Sequence, residues 1–150
     1  MPSKRDESAE ELHGLARNQN AVSAVLAPQL ASTLRDLARF GELMRCEGSC
    51  DRRQVIPAKV VTDIRRGADP EKFAKAGYTL LPGYSYRDMW WVSHNAYDAF
   101  EARGIHGQRL YVAPRAELVI ARFASHPIAS SAANDPITLP AFLALAAHLT

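Results

Sequence analysis

The segment Gly104-Ile105-His106-Gly107 contains the residues of this sequence best suited to chemistry. Glycine has no side chain, so a backbone flanked by two glycines can approach a ligand closely. A backbone N–H at the end of a strand can also donate a hydrogen bond to a developing oxyanion, as in many acyl-transfer enzymes. The structural alternative is a β-bulge, which is the commoner reason for glycine at a strand.

No catalytic nucleophile is recognisable by motif in the 150 residues. The sequence contains no G-x-S-x-G, S-x-x-K, P-loop, H-E-x-x-H or G-x-G-x-x-G pattern. The five histidines are scattered, and two of them, His94 and His126, follow predicted strand ends. A histidine base needs a nucleophile within hydrogen-bond reach, so a structural or solvated role is favoured for both.

The two cysteines, Cys46 and Cys50, lie in one loop with C-x3-C spacing. Metal sites usually show more ligands at set spacings, so a plain turn is favoured over a metal site and no cofactor is expected. A local disulfide between them would require an oxidising compartment.

The composition is that of one globular domain. Hydrophobic residues make up 47% of the chain, which is ordinary for a folded protein. The net charge of +2, from 18 basic and 16 acidic residues, is too small and too mixed to indicate nucleic-acid binding. No apolar run approaches the roughly 18 residues of a membrane span, and no signal-peptide pattern opens the chain. No membrane partner is therefore expected, and a cytoplasmic location is the default expectation.

Apolar periodicity and capping residues predict several helices. Residues 1–27 are polar and then mildly apolar, which fits either a weak helix or a loose tail. Thr33 and Asp36 form a capping signature for the next helix, and Gly67 suits the end of the one after it. Pro140 suits the first turn of the last helix, which has a wide apolar face. The predicted helices lie within residues 32–45, 54–67, 70–76 and 139–149.

Four strands are predicted, joined by connections too short for parallel pairing. They cover Met89–His94, Ala99–Arg103, Gln108–Ala113 and Glu117–Ala124, whereas residues 78–87 read as a loop with aromatic content. In the third of these strands, Leu110 and Val112 are predicted on one face and Arg109 and Tyr111 on the other. The last strand is almost continuously apolar, so we expect it to be central and covered on both faces. The expected fold class is α+β, an antiparallel sheet covered by helices that precede it and by a C-terminal helix.

Three long runs of the sequence carry a family resemblance: TLRDLARFGELM, QVIPAKVVTDIRRG and AGYTLLPGYSYRDMWWVSHNAYDAFEARGIHGQRLYVAPRAELVIARFASHP. Together they closely resemble the C-terminal part of 6-aminohexanoate-dimer hydrolases, which are serine hydrolases of the β-lactamase and penicillin-binding-protein superfamily. The resemblance extends from about Ala31 to Leu149. It implies a β-lactamase-like fold, cleavage of linear amides or carboxylic esters through an acyl-enzyme, and no cofactor.

The resemblance also implies roles for individual residues. The family's third motif, K-T-G in relatives, falls on Ala102-Arg103-Gly104, a departure at its first position that fits amides or esters better than β-lactams. The Ile105 N–H is expected to be one of two oxyanion donors, with Gly104 beside it, and the other donor is the N–H of the nucleophilic serine. Substrate contact is expected from Ala102, Arg103, His106 and Tyr86, with Tyr84 also near the rim of the pocket.

The family's S-x-x-K and tyrosine motifs lie upstream of the resembling region. We therefore expect residues 1–30 to be a poorly defined N-terminal segment and residues 31–150 to be the C-terminal portion of a hydrolase domain. A truncated gene product, a pseudogene remnant and one half of a split protein all fit this pattern. On its own the chain is expected to be inactive, and it would engage a small amide or ester substrate only when completed. The alternative is a non-catalytic module that associates, with itself or a partner, through an exposed sheet edge.

Overall fold

A computed structural model describes residues 33–150, so the predicted N-terminal segment 1–30 lies outside the described residues. Within residues 33–150, a five-stranded antiparallel sheet lies between helices on both of its faces. The helices are α1 (Leu34–Arg45), α2 (Ala58–Arg66), α3 (Pro70–Lys75) and α4 (Asp135–His148). The strands are β1 (Ser49–Cys50), β2 (Arg53–Gln54), β3 (Ser85–Arg87), β4 (Trp90–Val92), β5 (Phe100–Arg103), β6 (Arg109–Ala113) and β7 (Leu118–Arg122).

The first described helix begins where its capping residues predict. The Thr33 hydroxyl accepts a hydrogen bond from the Asp36 N–H at 3.2 Å, and the Asp36 carboxylate accepts one from the Thr33 N–H at 3.1 Å. This reciprocal capping box satisfies two backbone donors that a helix start leaves unpaired. The helix then lays Met44 and Leu37 against the sheet.

Strands β3 to β7 pair in chain order, which makes the sheet a simple meander. The alternation predicted for β6 is confirmed: Leu110 and Val112 pack under α1 and α2, while Tyr111 packs under α4. One face is therefore an apolar core. The other face, beneath α4, combines apolar residues with fully buried charged side chains.

Two predictions about strands are wrong. Residues 85–87 were assigned to a loop, but they form β3 and pair with β4. The strand β7 was expected to be central, but among residues 33–150 it pairs with β6 alone and forms one edge of the sheet. Its two faces are covered as expected, by contacts with both hydrophobic clusters. An apolar strand sequence reports covered faces, and it does not report how many neighbours the strand has.

The last helix is longer than predicted. It begins at Asp135 rather than Leu139, so Pro140 lies inside the helix and Pro136 occupies its first turn. Thr138, Phe142 and Ala146 face the sheet and are buried. The prediction placed the start too late because Pro140 was taken as the first-turn proline.

Four charged side chains lie beneath α4 and form what we call the buried charge cluster: Glu101, Arg103, Arg109 and Asp135. Arg109 donates to Glu101 at 3.1 Å and to Asp135 at 2.6 Å. Arg103 donates to Asp135 and lies 3.6 Å from Glu101. The exposed fractions of these side chains are 8% or less. Asp135 is the first residue of α4, so the cluster fastens that helix to strands β5 and β6.

Replacing Asp135 by asparagine should destabilise the fold severely. The substitution keeps the shape of the side chain but leaves two buried guanidiniums to share one carboxylate. Removing one partner of a buried ion pair typically costs about 3–5 kcal/mol. Urea unfolding of the 150-residue chain, followed by circular dichroism, measures the loss.

The matched control for this prediction is Asp98→Asn. Asp98 pairs with Arg65 at 3.4 Å at the surface, where the Asp98 side chain is 48% exposed. An exposed pair contributes about 0–1 kcal/mol, so this variant should unfold close to the parent. Equal losses in the two variants would contradict the assigned importance of the cluster.

Candidate oxyanion site at the end of strand β5

The segment between β5 and β6 is a tight connection, and the bulge interpretation is wrong. Pairing between the two strands is continuous up to Arg103 opposite Arg109. Gly104 is extended, and Ile105–Gly107 form one turn of 3-10 helix. His106 and Gly107 both have positive φ, at 56° and 85°. The left-handed conformation at Gly107 favours glycine, which explains the second glycine of the segment.

The backbone N–H groups of this turn differ in whether they have a hydrogen-bond acceptor. The Gly104 N–H donates to the Gln108 carbonyl at 2.9 Å, and the His106 N–H donates to the Ala129 carbonyl at 3.0 Å. Between them, the Ile105 N–H has no acceptor among residues 33–150. A backbone donor held between two bonded neighbours, and itself left free, is what an oxyanion site requires.

The chain segment after β7 clamps the turn from one side. The His126 N–H donates to the His106 carbonyl at 3.0 Å, and His106 Nδ1 lies 2.8 Å from the His126 carbonyl oxygen. Because a carbonyl oxygen only accepts, Nδ1 carries the proton in the neutral ring, and Nε2 is left as an acceptor. His106 therefore presents a hydrogen-bond acceptor next to the residue that presents the free donor.

The side chains of Arg103 and Ala102 each pack against other parts of the protein. The Arg103 guanidinium belongs to the buried charge cluster, and its side chain is 8% exposed. Ala102 packs on the opposite face of the sheet, against the core under α1 and α2. Their expected contact with substrate gains no support from this placement, and both side chains have a structural explanation.

Tyr86 lies on the α4 face of the sheet and packs against other aromatic side chains. Its ring meets Trp91 edge-on with centroids 4.6 Å apart, and the Arg103 guanidinium lies 5.7 Å from the same Trp91 ring. Burial raises the pKa of the Tyr86 hydroxyl, and more strongly that of Tyr84. Both phenols therefore stay protonated at neutral pH and can donate hydrogen bonds. Tyr86 and Arg103 are thus linked to each other through Trp91.

One pairing was missed at the level of sequence. Ser85 Oγ lies 2.7 Å from His94 Nε2, which is the spacing of a serine nucleophile and its histidine base. The same oxygen accepts a hydrogen bond from the Ala68 N–H at 2.9 Å, and Ser85 is fully buried. The buried Ser85 hydroxyl links the α2–α3 connection to β3, so its role is structural. No motif could reveal it, because serine and histidine meet only through the pairing of β3 with β4.

The cysteines are both free thiols. Cys46 ends α1, where its Sγ lies 3.4 Å from the Glu42 carboxylate, and burial raises the pKa of this thiol. Cys50 is exposed in the short strand β1. Among the described residues, no group of three His, Cys, Asp or Glu side chains is arranged to hold a metal ion.

No helix within residues 33–150 has the length and apolarity to cross a membrane.

The antiparallel sheet with helices on both faces is part of a β-lactamase-like fold. The structural neighbour that shows it is a solved protein from Bacillus anthracis, provisionally assigned as a 6-aminohexanoate-dimer hydrolase. It matches with a TM-score of 0.66 and 33% identity, over 79% of this chain and 29% of that chain.

The resemblance predicted from the sequence is therefore confirmed, and a curated relative supports it independently. The 6-aminohexanoate-dimer hydrolase of Paenarthrobacter ureafaciens is 33% identical over 99 residues, which cover 65% of this chain and 25% of that relative. No family model matches the chain. The chain thus spans about a quarter of the length of the curated relative that it matches.

Gly107→Ala should destabilise the turn through two separate effects. A Cβ at this position would overlap Cδ2 of the His126 ring, and the φ of 85° is unfavourable for alanine. We expect a loss of about 1–3 kcal/mol from the strained backbone alone, and more from the clash. Chemical denaturation measures the total.

Gly83→Ala separates these two effects. Gly83 has a similar φ of 77°, but a Cβ there would have no neighbour within 4 Å. This control should therefore lose only the strain energy. If the two variants lost the same stability, close packing of His126 on Gly107 would not matter to the fold.

Proposed function

We propose that residues 31–150 form the C-terminal portion of a serine hydrolase domain that acts on linear amides or carboxylic esters. In this proposal the Ile105 N–H is one of the two oxyanion donors. The observation that carries it is the free Ile105 N–H between two bonded neighbours, in a chain similar to two 6-aminohexanoate-dimer hydrolases.

The proposed chemistry is acyl transfer to a serine. A serine oxygen attacks the carbonyl carbon, the carbonyl oxygen becomes an oxyanion, and the amine or alcohol leaves to give an acyl-enzyme that water hydrolyses. The Ile105 N–H stabilises the oxyanion from one side, where a preorganised donor contributes most. The serine and its lysine come from polypeptide outside the 150 residues, since this sequence contains no S-x-x-K.

Two placements favour neutral amides or esters as substrates. Ala102 stands where relatives of the superfamily carry the lysine of K-T-G, and it packs into the apolar core. The neighbouring Arg103 is already paired with carboxylates inside the protein. Neither residue offers a free cation to a substrate carboxylate. His106 Nε2, as an acceptor, is suited to receive the N–H of an amide substrate, and Tyr86 is retained as a candidate at the rim of the site.

A second candidate function is association through the edge of the sheet. Strand β7 is apolar and covered on both faces, but its outer edge has no partner strand among the described residues. Such an edge is a template for pairing with another chain. Sedimentation velocity tests this candidate: a single monomeric species over a wide concentration range would count strongly against it.

The purified 150-residue chain should not react with a fluorophosphonate probe, and it should not hydrolyse a p-nitrophenyl ester above background. The physical reason is that Ser85, which has a histidine within hydrogen-bond distance, is completely buried. In-gel fluorescence and intact mass measure labelling. Labelling that disappears in Ser85→Ala would overturn the proposal that the nucleophile lies outside this chain.

The oxyanion role of Ile105 is tested in a hybrid enzyme, in which residues 33–150 replace the matching segment of the Paenarthrobacter relative. Ile105→Pro removes the N–H, and the fold should tolerate it. Proline suits the first position of a helical turn, and the preceding Gly104 is already extended, with φ −97° and ψ 171°. Loss of one oxyanion donor should lower kcat by about 10²–10³-fold.

Ile105→Ala is the matched control, because it shortens the same side chain and keeps the N–H. Its kcat should stay within about tenfold of the parent hybrid if the donor is what matters. Equal activity of the proline variant and the parent would remove Ile105 from the mechanism. Circular dichroism of each hybrid confirms that the variants being compared are folded.

A further inference from the structure

We infer that Arg122 is a positioning residue for the oxyanion donor: it fixes the turn that carries the Ile105 N–H by gripping the Gly107 carbonyl from strand β7. The inference rests on the proposed function of Ile105. It adds a residue that neither the motif of the turn nor the resemblance to hydrolases identifies.

Arg122 contacts the turn directly through a hydrogen bond. Arg122 Nε donates to the Gly107 carbonyl oxygen at 2.8 Å. That carbonyl belongs to the same peptide unit as the Gln108 N–H, which donates to the Ile105 carbonyl at 3.2 Å. One rigid peptide plane is therefore held at both of its polar ends, and one of those ends is bonded to Ile105 itself.

The hold extends to the peptide next to the donor. The Ile105 carbonyl shares a peptide plane with the His106 N–H, which donates to the Ala129 carbonyl at 3.0 Å. The plane that contains the Ile105 N–H is held more loosely, since its Gly104 carbonyl accepts from Ser131 Oγ at 3.5 Å. The direction of the free N–H therefore depends on the planes that follow it. Arg122 anchors one of these, the plane between Gly107 and Gln108, from outside the turn.

Arg122 is itself held rigidly enough to serve as an anchor. Its Nη1 donates to Thr138 Oγ1 on α4 at 3.1 Å, and its guanidinium lies 5.7 Å from the Phe142 ring. The planar guanidinium thus bridges the turn and the helix with two donors in a fixed geometry. A lysine ammonium, as a single point on a flexible stem, could not hold both positions in this way.

The arrangement is also costly, which argues against a role in stability alone. Arg122 Nη2 is buried and has no hydrogen-bond partner among residues 33–150. A buried donor without a partner costs free energy that an apolar side chain of similar size would not. The charge also lies beside Arg109, its partner across the β6–β7 ladder. An apolar side chain could fill this space, but it could not supply the bond to the Gly107 carbonyl.

Hydrogen exchange on the full 150-residue chain gives the first test. In Arg122→Gln, the amides of His106 and Gln108 should exchange at least about tenfold faster, while core amides such as that of Val112 change less than threefold. NMR on 15N-labelled protein measures both. A uniform increase over the whole sheet would mean that Arg122 supports stability only, and would overturn the inference. Arg122→Lys, which retains the charge, should show the same local pattern and serves if the glutamine variant does not fold.

The hybrid enzyme gives the second test, as a double-mutant cycle. Arg122→Gln should lower kcat by about ten- to a hundredfold with KM changed less than threefold, because a displaced donor weakens transition-state binding. The same substitution in the Ile105→Pro background should have little further effect, because the donor is already absent. Thr138→Val, which removes only the outer anchor of Arg122, should give a smaller loss.

The outcomes separate the two proposals. If Ile105→Pro lowers kcat and Arg122→Gln acts equally in both backgrounds, the positioning role of Arg122 is wrong and the oxyanion role of Ile105 stands. If Ile105→Pro leaves kcat unchanged, the proposed function fails, and the inference fails with it even where exchange in the turn is faster.

Discussion

The buried charge cluster is the constraint on which the rest of this structure depends. Removing two guanidiniums and two carboxylates from water costs several kcal/mol per ion, and this cost is offset only where the partners are placed accurately. Burial raises the pKa of Glu101 even with Arg109 and Arg103 beside it, which indicates how strongly the site is desolvated. Such a cluster permits few alternative arrangements of β5, β6 and α4. It therefore specifies how these three elements meet, whatever its net contribution to stability.

The same cluster determines where the candidate site begins. Arg103 is both a member of the cluster and the last residue of β5, so Gly104 and Ile105 leave the sheet from a fixed point. Arg122 lies across the ladder from Arg109 and continues the charged row towards the turn. Three guanidiniums thus face two carboxylates beneath α4, and the third guanidinium, that of Arg122, is bonded to the turn rather than to a carboxylate.

Local signals in the sequence were sufficient for the elements that are stabilised locally. The capping pair Thr33 and Asp36 located the start of α1, and two-residue alternation placed the side chains of β6 on their correct faces. The short strand β3 was missed, because three residues next to a turn are too few for periodicity to show. The edge position of β7 was missed because pairing is a property of neighbours distant in sequence.

The same contrast between local signals and contacts distant in sequence applies to the candidate site. The turn Gly104–Gly107 was identified from its glycines, but its meaning as a connection rather than a bulge depended on the β5–β6 register. The bond from Arg122 to the turn and the hydrogen bond between Ser85 and His94 were missed, because in each case the two partners lie on different elements. Residues that hold a site in place carry no motif of their own, since any element that reaches the turn could supply the donor.

A single oxyanion donor has little value by itself. In water, a free N–H gains about as much from a solvent oxygen as from an oxyanion, so stabilisation requires a second donor and a site from which water is excluded. Residues 33–150 nevertheless carry a conformational cost at this turn, through the positive φ at His106 and an unpaired donor on Arg122. Local strain and unsatisfied groups are usually retained where function requires them. In the proposed function, the turn is one side of an active site and acts together with a serine that approaches from the other side.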